Sequence, residues 1–445
     1  MSNQNLLSQS YNQIINQVMQ GQNQNFQMLA QPIDFSWPVA PTGQMSPEAY
    51  QLVSIMPQWS DVAAYSASSS TFFSAYNNIF AHVTFKVSPE KQNDLNQLQN
   101  QWQVALNAIN GATTEASTAY ETAKQNGGAV FSAMYPDITA WLAGPGSAYQ
   151  NKINNLTETA KALGNQYKEL SEALLVGKDE LVAAMKATKE PTGSPGSQPS
   201  PPGWTKVPNS AGDLEWQPSF NIGTTGQDWR AQLTSGTQGA FTVNLDAGKS
   251  DTSFDHSWAG GSASYGNFFW GINGGGGWEK WDLSESDAGV QASISVKSST
   301  IVPITPGVWY DGGFMKDLAR NTSGSGATIE QGWQVNGGQG SNSLFGQYGI
   351  LSTVVTGLVV VYQPSFKITM NSSTFSQYKE KFDASGGLRI GPFTFGGHGG
   401  HESTYTHSTS NGTTYEGGST STDPLIIGMT VAFPGVEEVM PAKSN

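Results

Sequence analysis

Apolar residues in the first half of the chain recur at alternating steps of three and four. This spacing keeps one apolar stripe along a helix and is typical of a coiled-coil seam. Two seams, one from Leu95 and one from Tyr149, predict a long antiparallel coiled-coil hairpin at about residues 88–187. The seam residues are Leu95, Leu98, Trp102, Ala105, Ile109, Ala112, Ala116, Ala119 and Ala123 in the first, and Tyr149, Ile153, Leu156, Ala160, Leu163, Tyr167, Leu170, Leu174, Leu181 and Ala184 in the second.

Local signals support further helices around this hairpin. Ser88 and Pro89 supply an N-cap and a proline at the first helical position. The segment from Leu7 to Val18 repeats the same apolar spacing. We therefore predict a helical bundle over residues 1–188.

The connector of the hairpin, residues 127–146, is its most apolar part and lies between two glycine-rich hinges. Two interpretations stay open. The segment can fold back as a short helix and bury itself on the bundle, or it can contact a membrane lipid, a surface receptor or another partner. In the second interpretation the contact surface of this tip consists of Val130, Phe131, Met134, Tyr135, Ile138, Trp141 and Leu142.

Residues 189–203 are rich in proline, glycine and serine, which is the composition of an extended linker. After them, apolar and polar residues alternate as they do in β-strands. The β-branched run at 349–362 predicts a strand that is buried on both faces. The predicted fold class is α+β and multidomain, with an all-β domain, sandwich or barrel-like, over residues 204–445.

A glycine pattern repeats within this β domain at a fixed offset, since 386 − 261 = 125. It predicts a duplicated Gly-rich hairpin unit at about 241–308 and 366–436, because a flexible spacer would not keep glycines in register. Chance spacing among 51 glycines is the alternative. The matched residues are Gly261, Gly266, Phe268, Gly271, Gly274 and Gly275 with Gly386, Gly391, Phe393, Gly396, Gly399 and Gly400.

Long hairpins of alternating residues are predicted inside each unit. One arm places Tyr378, Phe382, Leu388 and Ile390 on a single face, and Asn411 and Gly412 form the turn of a Ser/Thr-rich hairpin. Such hairpins suit an ordinary sandwich, or pairing between subunits of a homo-oligomer. The predicted assembly residues are Trp258, Tyr265, Phe268, Trp270, Tyr378, Phe382, Leu388, Ile390, Phe393, Tyr405, Asn411 and Gly412.

Composition and the first residues bear on the partners and the location of the protein. Only 12% of residues are charged and the net charge is −13, so electrostatic capture of nucleic acid is not expected. The chain has no cysteine, and its first residues lack the basic start and apolar run of a signal peptide. No transmembrane helix is predicted. We expect a protein that is soluble when made and acts extracellularly after non-classical release.

Motifs for catalysis or cofactor binding are weak. The chain contains neither a P-loop nor a nucleophile elbow, so we expect no enzyme and no cofactor. His398, His401 and Glu402 could bind zinc or nickel, but two glycines leave the histidine pair unconstrained, and solvated histidines are the alternative. Glycine-flanked aromatics such as Trp270, Trp281 and Trp309 could stack on a glycan, or could belong to the core.

The predicted architecture resembles two kinds of pore-forming protein. A long helical hairpin with an apolar tip resembles α-helical pore-forming toxins, and Ser/Thr/Gly-rich hairpins resemble β-pore formers. The leading hypothesis is a non-enzymatic, self-associating, membrane-acting protein of the pore-forming type. A structural protein that assembles into a filament, tube or shell is the alternative. A glycan-binding module is the third hypothesis.

Overall fold

The computed structural model combines helices, one of them long, with several antiparallel sheets, which confirms the coarse α+β prediction. The residues that the structure describes are 3–19, 26–29, 47–57, 62–63, 71–84, 88–135, 138–174, 179–193, 195–208, 213–223, 228–236, 239–246, 270–273, 278–280, 289–320, 328–338, 340–346, 348–383, 386–396, 405–410, 412–420 and 424–434.

The helices concentrate in the first half of the chain. They are α1 (Asn3–Val18), α2 (Pro47–Ser54), α3 (Phe72–Ile79), the 3₁₀ turn η1 (Phe80–His82), α4 (Pro89–Met134), α5 (Ile138–Leu142), α6 (Ser147–Leu174), α7 (Asp179–Ala187), α8 (Trp229–Thr234), α9 (Gly312–Ala319) and α10 (Ser372–Asp383).

Most of the strands lie in the second half. They are β1 (Phe26–Leu29), β2 (Val62–Ala63), β3 (Val83–Thr84), β4 (Trp204–Pro208), β5 (Leu214–Pro218), β6 (Phe220–Ile222), β7 (Phe241–Asp246), β8 (Trp270–Asn273), β9 (Trp278–Lys280), β10 (Gln291–Val296), β11 (Ser298–Pro306), β12 (Thr328–Ile329), β13 (Gln334–Asn336), β14 (Ser343–Phe345), β15 (Val354–Tyr362), β16 (Ser365–Thr369), β17 (Gly387–Ile390), β18 (Phe393–Phe395), β19 (Tyr405–Ser410), β20 (Thr414–Ser419) and β21 (Leu425–Ala432).

Helices α4 and α6 form the hairpin that the two seams predict. The seam residues Trp102, Ala112 and Ala116 of α4 and Ala160 and Tyr167 of α6 are buried. Helix α4 begins after the N-cap Ser88, with proline in its first turn, and its helical backbone is interrupted only at Gly128. At about 1.5 Å per residue, α4 extends on the order of 60 Å before that break.

Strand β15 is the centre of a six-stranded sheet with the order β2-β1-β21-β15-β11-β6. All but one of its nine residues are buried, as the β-branched run predicts. Gly357 allows the close approach of its neighbours, since a Cβ there would lie 2.7 Å from Oγ1 of Thr430. The strand is therefore a central, buried part of the core of the second half.

A five-stranded antiparallel sheet, β19-β20-β16-β10-β7, and a four-stranded sheet, β18-β17-β8-β9, complete the larger sheets. Their inner faces pack in one cluster that includes Val243, Ile294, Phe366 and Ile390. Strands β7 and β16, which begin the two predicted repeat units, pair with β10 from opposite sides. Gly261 and Gly266 lie outside the described residues, so the duplication stays a prediction.

Elements from both sides of residues 189–203 share sheets, and the division into a helical unit and a β unit joined by a linker stays a prediction. Strand β1 pairs with β21, with Phe26 opposite Thr430. Strand β3 pairs with β12, and the Tyr50 hydroxyl donates to the carbonyl of Pro218. The composition change near residue 190 therefore marks a change of secondary structure, while packing crosses it.

The hairpin arm predicted from Tyr378 to Ile390 begins inside helix α10, Ser372–Asp383, instead of in a strand. Asn371 caps this helix by accepting from the backbone N–H of Thr374 at 2.8 Å. Tyr378 and Phe382 are four residues apart, which suits one face of a helix as well as the alternation that predicted a strand. Phe375, three residues before Tyr378, fits only the helical spacing. The cap decides between the two periods.

Candidate contact and assembly surfaces

The apolar tip of the hairpin folds onto itself around Trp141. The indole is 5% exposed and packs 5.9 Å from the ring of Tyr120 and 5.5 Å from that of Tyr149, between centroids. The indole also packs directly against the backbone of Gly146, where a Cβ would lie 2.5 Å from the ring. Trp141, predicted as a contact residue, is therefore an internal residue of the tip.

Phe131 and Tyr135 lie beside this centre and are half-buried. Tyr120 donates from its hydroxyl to the carbonyl of Tyr135 at 3.1 Å. Phe131 packs its ring 5.9 Å from that of Tyr120 and 5.2 Å from that of Tyr135. Ile138 and Leu142 are also half-buried, whereas Met134 is 63% exposed. The side chain of Val130 lies outside the described residues.

This tip cluster is separate from the larger apolar clusters of the protein. Trp141, Phe131 and Tyr135 belong to none of the three clusters that form the body. The body contacts the hairpin at its base, where Leu95 and Trp102 join the core. The connector therefore folds back as in the first interpretation, but it packs on the ends of α4 and α6 at the tip and not on the body.

Several predicted assembly residues lie in the core rather than on a surface. Trp270, Leu388, Ile390 and Phe393 are at most 2% exposed in the cluster under the sheets, and Tyr378 packs partly buried against it. Their side chains serve packing and cannot contact a neighbouring subunit without opening the core. The others lie outside the described residues or side chains: Trp258, Tyr265, Phe268, Phe382, Tyr405 and Asn411.

The predicted Ser/Thr-rich hairpin is present as β19 and β20. Ser410 pairs with Thr414, and Gly412 in the connecting turn has φ 63°, a conformation that favours glycine. Strand β19 forms one edge of the five-stranded sheet and pairs only with β20 among the described residues. A strand edge that lacks a second partner is a template for strand addition.

A polar groove of about 550 Å³ is lined by α1 and by strands β7, β10 and β16 of that sheet. Neutral amides and hydroxyls dominate its lining, with one carboxylate from Asp246 and one ammonium from Lys367. The side-chain amides of Gln9 and Gln13 in its wall already bond to the backbone of β7. One wall of the groove is therefore the contact between α1 and the edge strand β7.

A partly buried polar cluster joins the base of the hairpin to the β half. Nδ1 of His82 lies 3.0 Å from Oε2 of Glu330, and Nε2 of Gln103 donates to the same carboxylate at 3.1 Å. The imidazole stacks on Trp333 with 3.7 Å between ring centroids. Burial lowers the pKa of His82 and outweighs the opposing effect of Glu330, so the neutral imidazole is favoured.

Lys168 of α6 is a second buried basic residue near the base. Its side chain is 1% exposed, Nζ donates to the carbonyl of Thr188 at 3.0 Å, and the Trp102 ring centroid is 5.7 Å from Nζ. Burial lowers the pKa of Lys168 to about 7, opposed by Glu190 and assisted by Lys189. Sequence reasoning missed both His82 and Lys168, because neither stands in a motif.

Metal and glycan sites receive no support from the described part of the chain. There, no group of three or more histidine, aspartate or glutamate side chains is placed to hold a metal ion. His398, His401 and Glu402 lie outside the described residues. Trp270 and Trp309 are buried, so neither presents a ring for a sugar, and the core alternative accounts for both.

None of the helices described is long and apolar enough to cross a bilayer. Comparisons of the chain with protein-family models, with curated proteins and with solved structures find no match. Function must therefore be argued from the geometry of this chain alone.

Proposed function

We propose that this protein is a non-enzymatic, self-associating, membrane-acting protein of the pore-forming type, in which the hairpin tip makes the first contact with the target. The observation that carries the proposal is the tip cluster. Phe131 and Trp141 both pack on the ring of Tyr120, and Tyr135 packs on Phe131, at the far end of a hairpin and away from the cores of the body.

The tip has the composition and the hinges that such a contact needs. Aromatic residues with a polar atom favour the boundary between lipid headgroups and acyl chains. Gly128, with φ 58°, interrupts α4 just before the cluster. Opening at this point would present Phe131 and Trp141 without disturbing the base of the hairpin. Met134 is already exposed and would touch the target first.

The test compares two exposed apolar residues of the same helix. Met134→Asp places a charge on the tip, and Val104→Asp places one on the flank, where the side chain is 69% exposed. A carboxylate is costly to bury in a membrane interface. We expect Met134→Asp to reduce dye leakage from liposomes at least tenfold, and Val104→Asp to leave it near the wild-type level. Equal leakage from both variants would remove the tip from the mechanism.

A substitution of Trp141 would not test the membrane contact separately from the folding of the tip. Because its indole is buried between Tyr120 and Tyr149, Trp141→Asp would disrupt the tip cluster itself. Lost leakage in such a variant could not be separated from local unfolding. Met134→Asp avoids this ambiguity.

A structural role in a filament, tube or shell is the second candidate, and it is favoured by β19, an edge strand that pairs only with β20 among the described residues. The predicted duplication of the Gly-rich hairpin unit fits the same role, since repeated units suit repeated contacts. Negative-stain imaging with and without liposomes separates the candidates. Rings that require lipid support pore formation, whereas polymers or closed shells in membrane-free buffer support the structural role.

A further inference from the structure

Helix α1 covers the β7 edge of the five-stranded sheet with a ladder of glutamine side chains. Three glutamines spaced four residues apart on the helix meet three residues spaced two apart on the strand. Four helical residues rise about 6 Å and two strand residues about 6.7 Å, so the spacings match along the contact. The pairs are Gln9 with Asp246, Gln13 with Asn244 and Gln17 with Thr242.

Each rung of this glutamine ladder consists of two hydrogen bonds to the main chain. The side-chain Nε2 donates to the carbonyl of the strand residue, and Oε1 accepts from the N–H of the same residue. The N···O distances are 3.1 and 3.0 Å for Gln9, 2.7 and 2.8 Å for Gln13, and 2.8 and 3.3 Å for Gln17. A residue of a neighbouring antiparallel strand makes the same pair of bonds. Helix α1 therefore occupies the place of a sixth strand.

The apolar side of α1 covers the inner face of the sheet at the same edge. Leu6 and Ile14 are buried in the cluster that contains Phe241 and Val243 of β7. If α1 moved away, β7 would lose three rungs of hydrogen bonds and its apolar cover together. A bare strand edge of this kind is a template for pairing with another strand.

We propose that β7 is a strand-acceptor edge for a second copy of this chain, and that α1 is an exchangeable cap over that edge. This inference rests on the self-association proposed above and assigns its contact. The donor is β19 of the second copy, which forms the opposite edge of the same sheet and, like β7, has six residues.

The strand directions define how the copies join. Each neighbouring pair among the five strands is antiparallel, so β7 and β19 run in the same direction. A second copy that keeps its apolar sheet face on the same side brings β19 onto β7 in parallel. This contact uses different surfaces on the two partners, so it can repeat from copy to copy and close into a ring or extend as a fibre.

The first test opens the cap. Gln13→Glu removes the donor to the Asn244 carbonyl and places a negative charge beside it, at the centre of the ladder. Asn16→Asp makes the same charge change at an exposed position of α1 outside the ladder. We expect amide hydrogen exchange at Thr242, Asn244 and Asp246 to accelerate at least tenfold in Gln13→Glu only. Light scattering should then detect concentration-dependent oligomers of that variant.

The second test blocks the donor. Ser408 is exposed on β19, and a lysine on an edge strand opposes strand addition. The double variant Gln13→Glu/Ser408→Lys should keep fast exchange at β7 but lose the oligomers. Slow exchange at the amides of β15 checks in each variant that the core remains folded.

Each contrary result identifies the part that fails. Unchanged exchange at β7 in Gln13→Glu would overturn α1 as the cap. Fast exchange without oligomers would overturn β7 as the acceptor, and oligomers that persist in the double variant would overturn β19 as the donor. Liposome leakage, measured on the same samples, tests the role of the tip. It therefore tests the proposed function independently of the contact between β7 and β19.

Discussion

Lys168 carries a pH dependence that can be worked out from its surroundings. Burial lowers its pKa from an ordinary value near 10.5 to about 7. Below pH 7 the folded protein must bury an ammonium ion, so the penalty to stability is present in full. Between pH 7 and about 10.5 the unfolded chain binds more protons than the folded one, and stability rises with pH.

Removing this amine should stabilise the protein at neutral and acid pH. Each pKa unit corresponds to about 1.4 kcal/mol, so the penalty is on the order of a few kcal/mol. We expect Lys168→Met to raise the melting temperature below pH 7 and to flatten the rise in stability above it. Lys152→Met is the control, because Lys152 lies on the same helix but is exposed, beside Glu115. A melting temperature that falls at pH 6 in Lys168→Met would contradict the buried charge as the dominant effect.

The contact between α4 and α6 depends on a glycine that faces a tryptophan. A Cβ at Gly164 would lie 2.9 Å from Cε2 of Trp102, and that indole is 1% exposed. At Gly111, on the exposed side of α4, a Cβ would meet nothing within 4 Å. Substitutions at these two glycines therefore distinguish the effect of packing from the effect of helix propensity within one hairpin.

Alanine at these positions should have opposite effects. Gly111→Ala should stabilise the protein by up to about 1 kcal/mol, because alanine is the better helix former. Gly164→Ala gains the same propensity but forces the helices apart, at a cost of about 1–3 kcal/mol. We expect a net loss of about 1 kcal/mol for Gly164→Ala, measured by urea unfolding. Equal stabilisation by both substitutions would mean that the interface absorbs the extra methyl group.

The whole molecule is held together across residues 189–203. Strand β1 pairs with β21, β3 pairs with β12, and α1 binds β7. A single chain that crosses its composition boundary this often should behave as one packing unit. Independent folding of the two halves is therefore not expected.

Cleavage of the chain tests this expectation. A protease site inserted between Gln198 and Pro199, which are exposed, would cut the Pro-rich segment without touching those pairings. We expect both fragments to elute together from a sizing column in native buffer and to separate only in denaturant. Fragments that part in native buffer would restore the prediction of a helical domain and a β domain joined by a linker.

The elements that the sequence determined by itself are those set by near neighbours in the chain. The coiled-coil seams, the buried strand β15 and the hairpin of β19 and β20 follow from apolar spacing and turn residues. Where two periods fit the same residues, as at Tyr378 and Phe382, a local cap upstream decided for the helix. These features depend on interactions over a few residues, which a pattern can record.

Only the tertiary structure decided which distant segments meet. Gln9 and Asp246 are 237 positions apart. From the sequence alone, a glutamine on the polar side of a predicted helix is expected to face solvent. The burial of Lys168 and the pairing of Phe26 with Thr430 are equally invisible to periodicity. Such contacts arise because strand edges and buried polar groups must find partners wherever the fold places them, and chain spacing does not encode that placement.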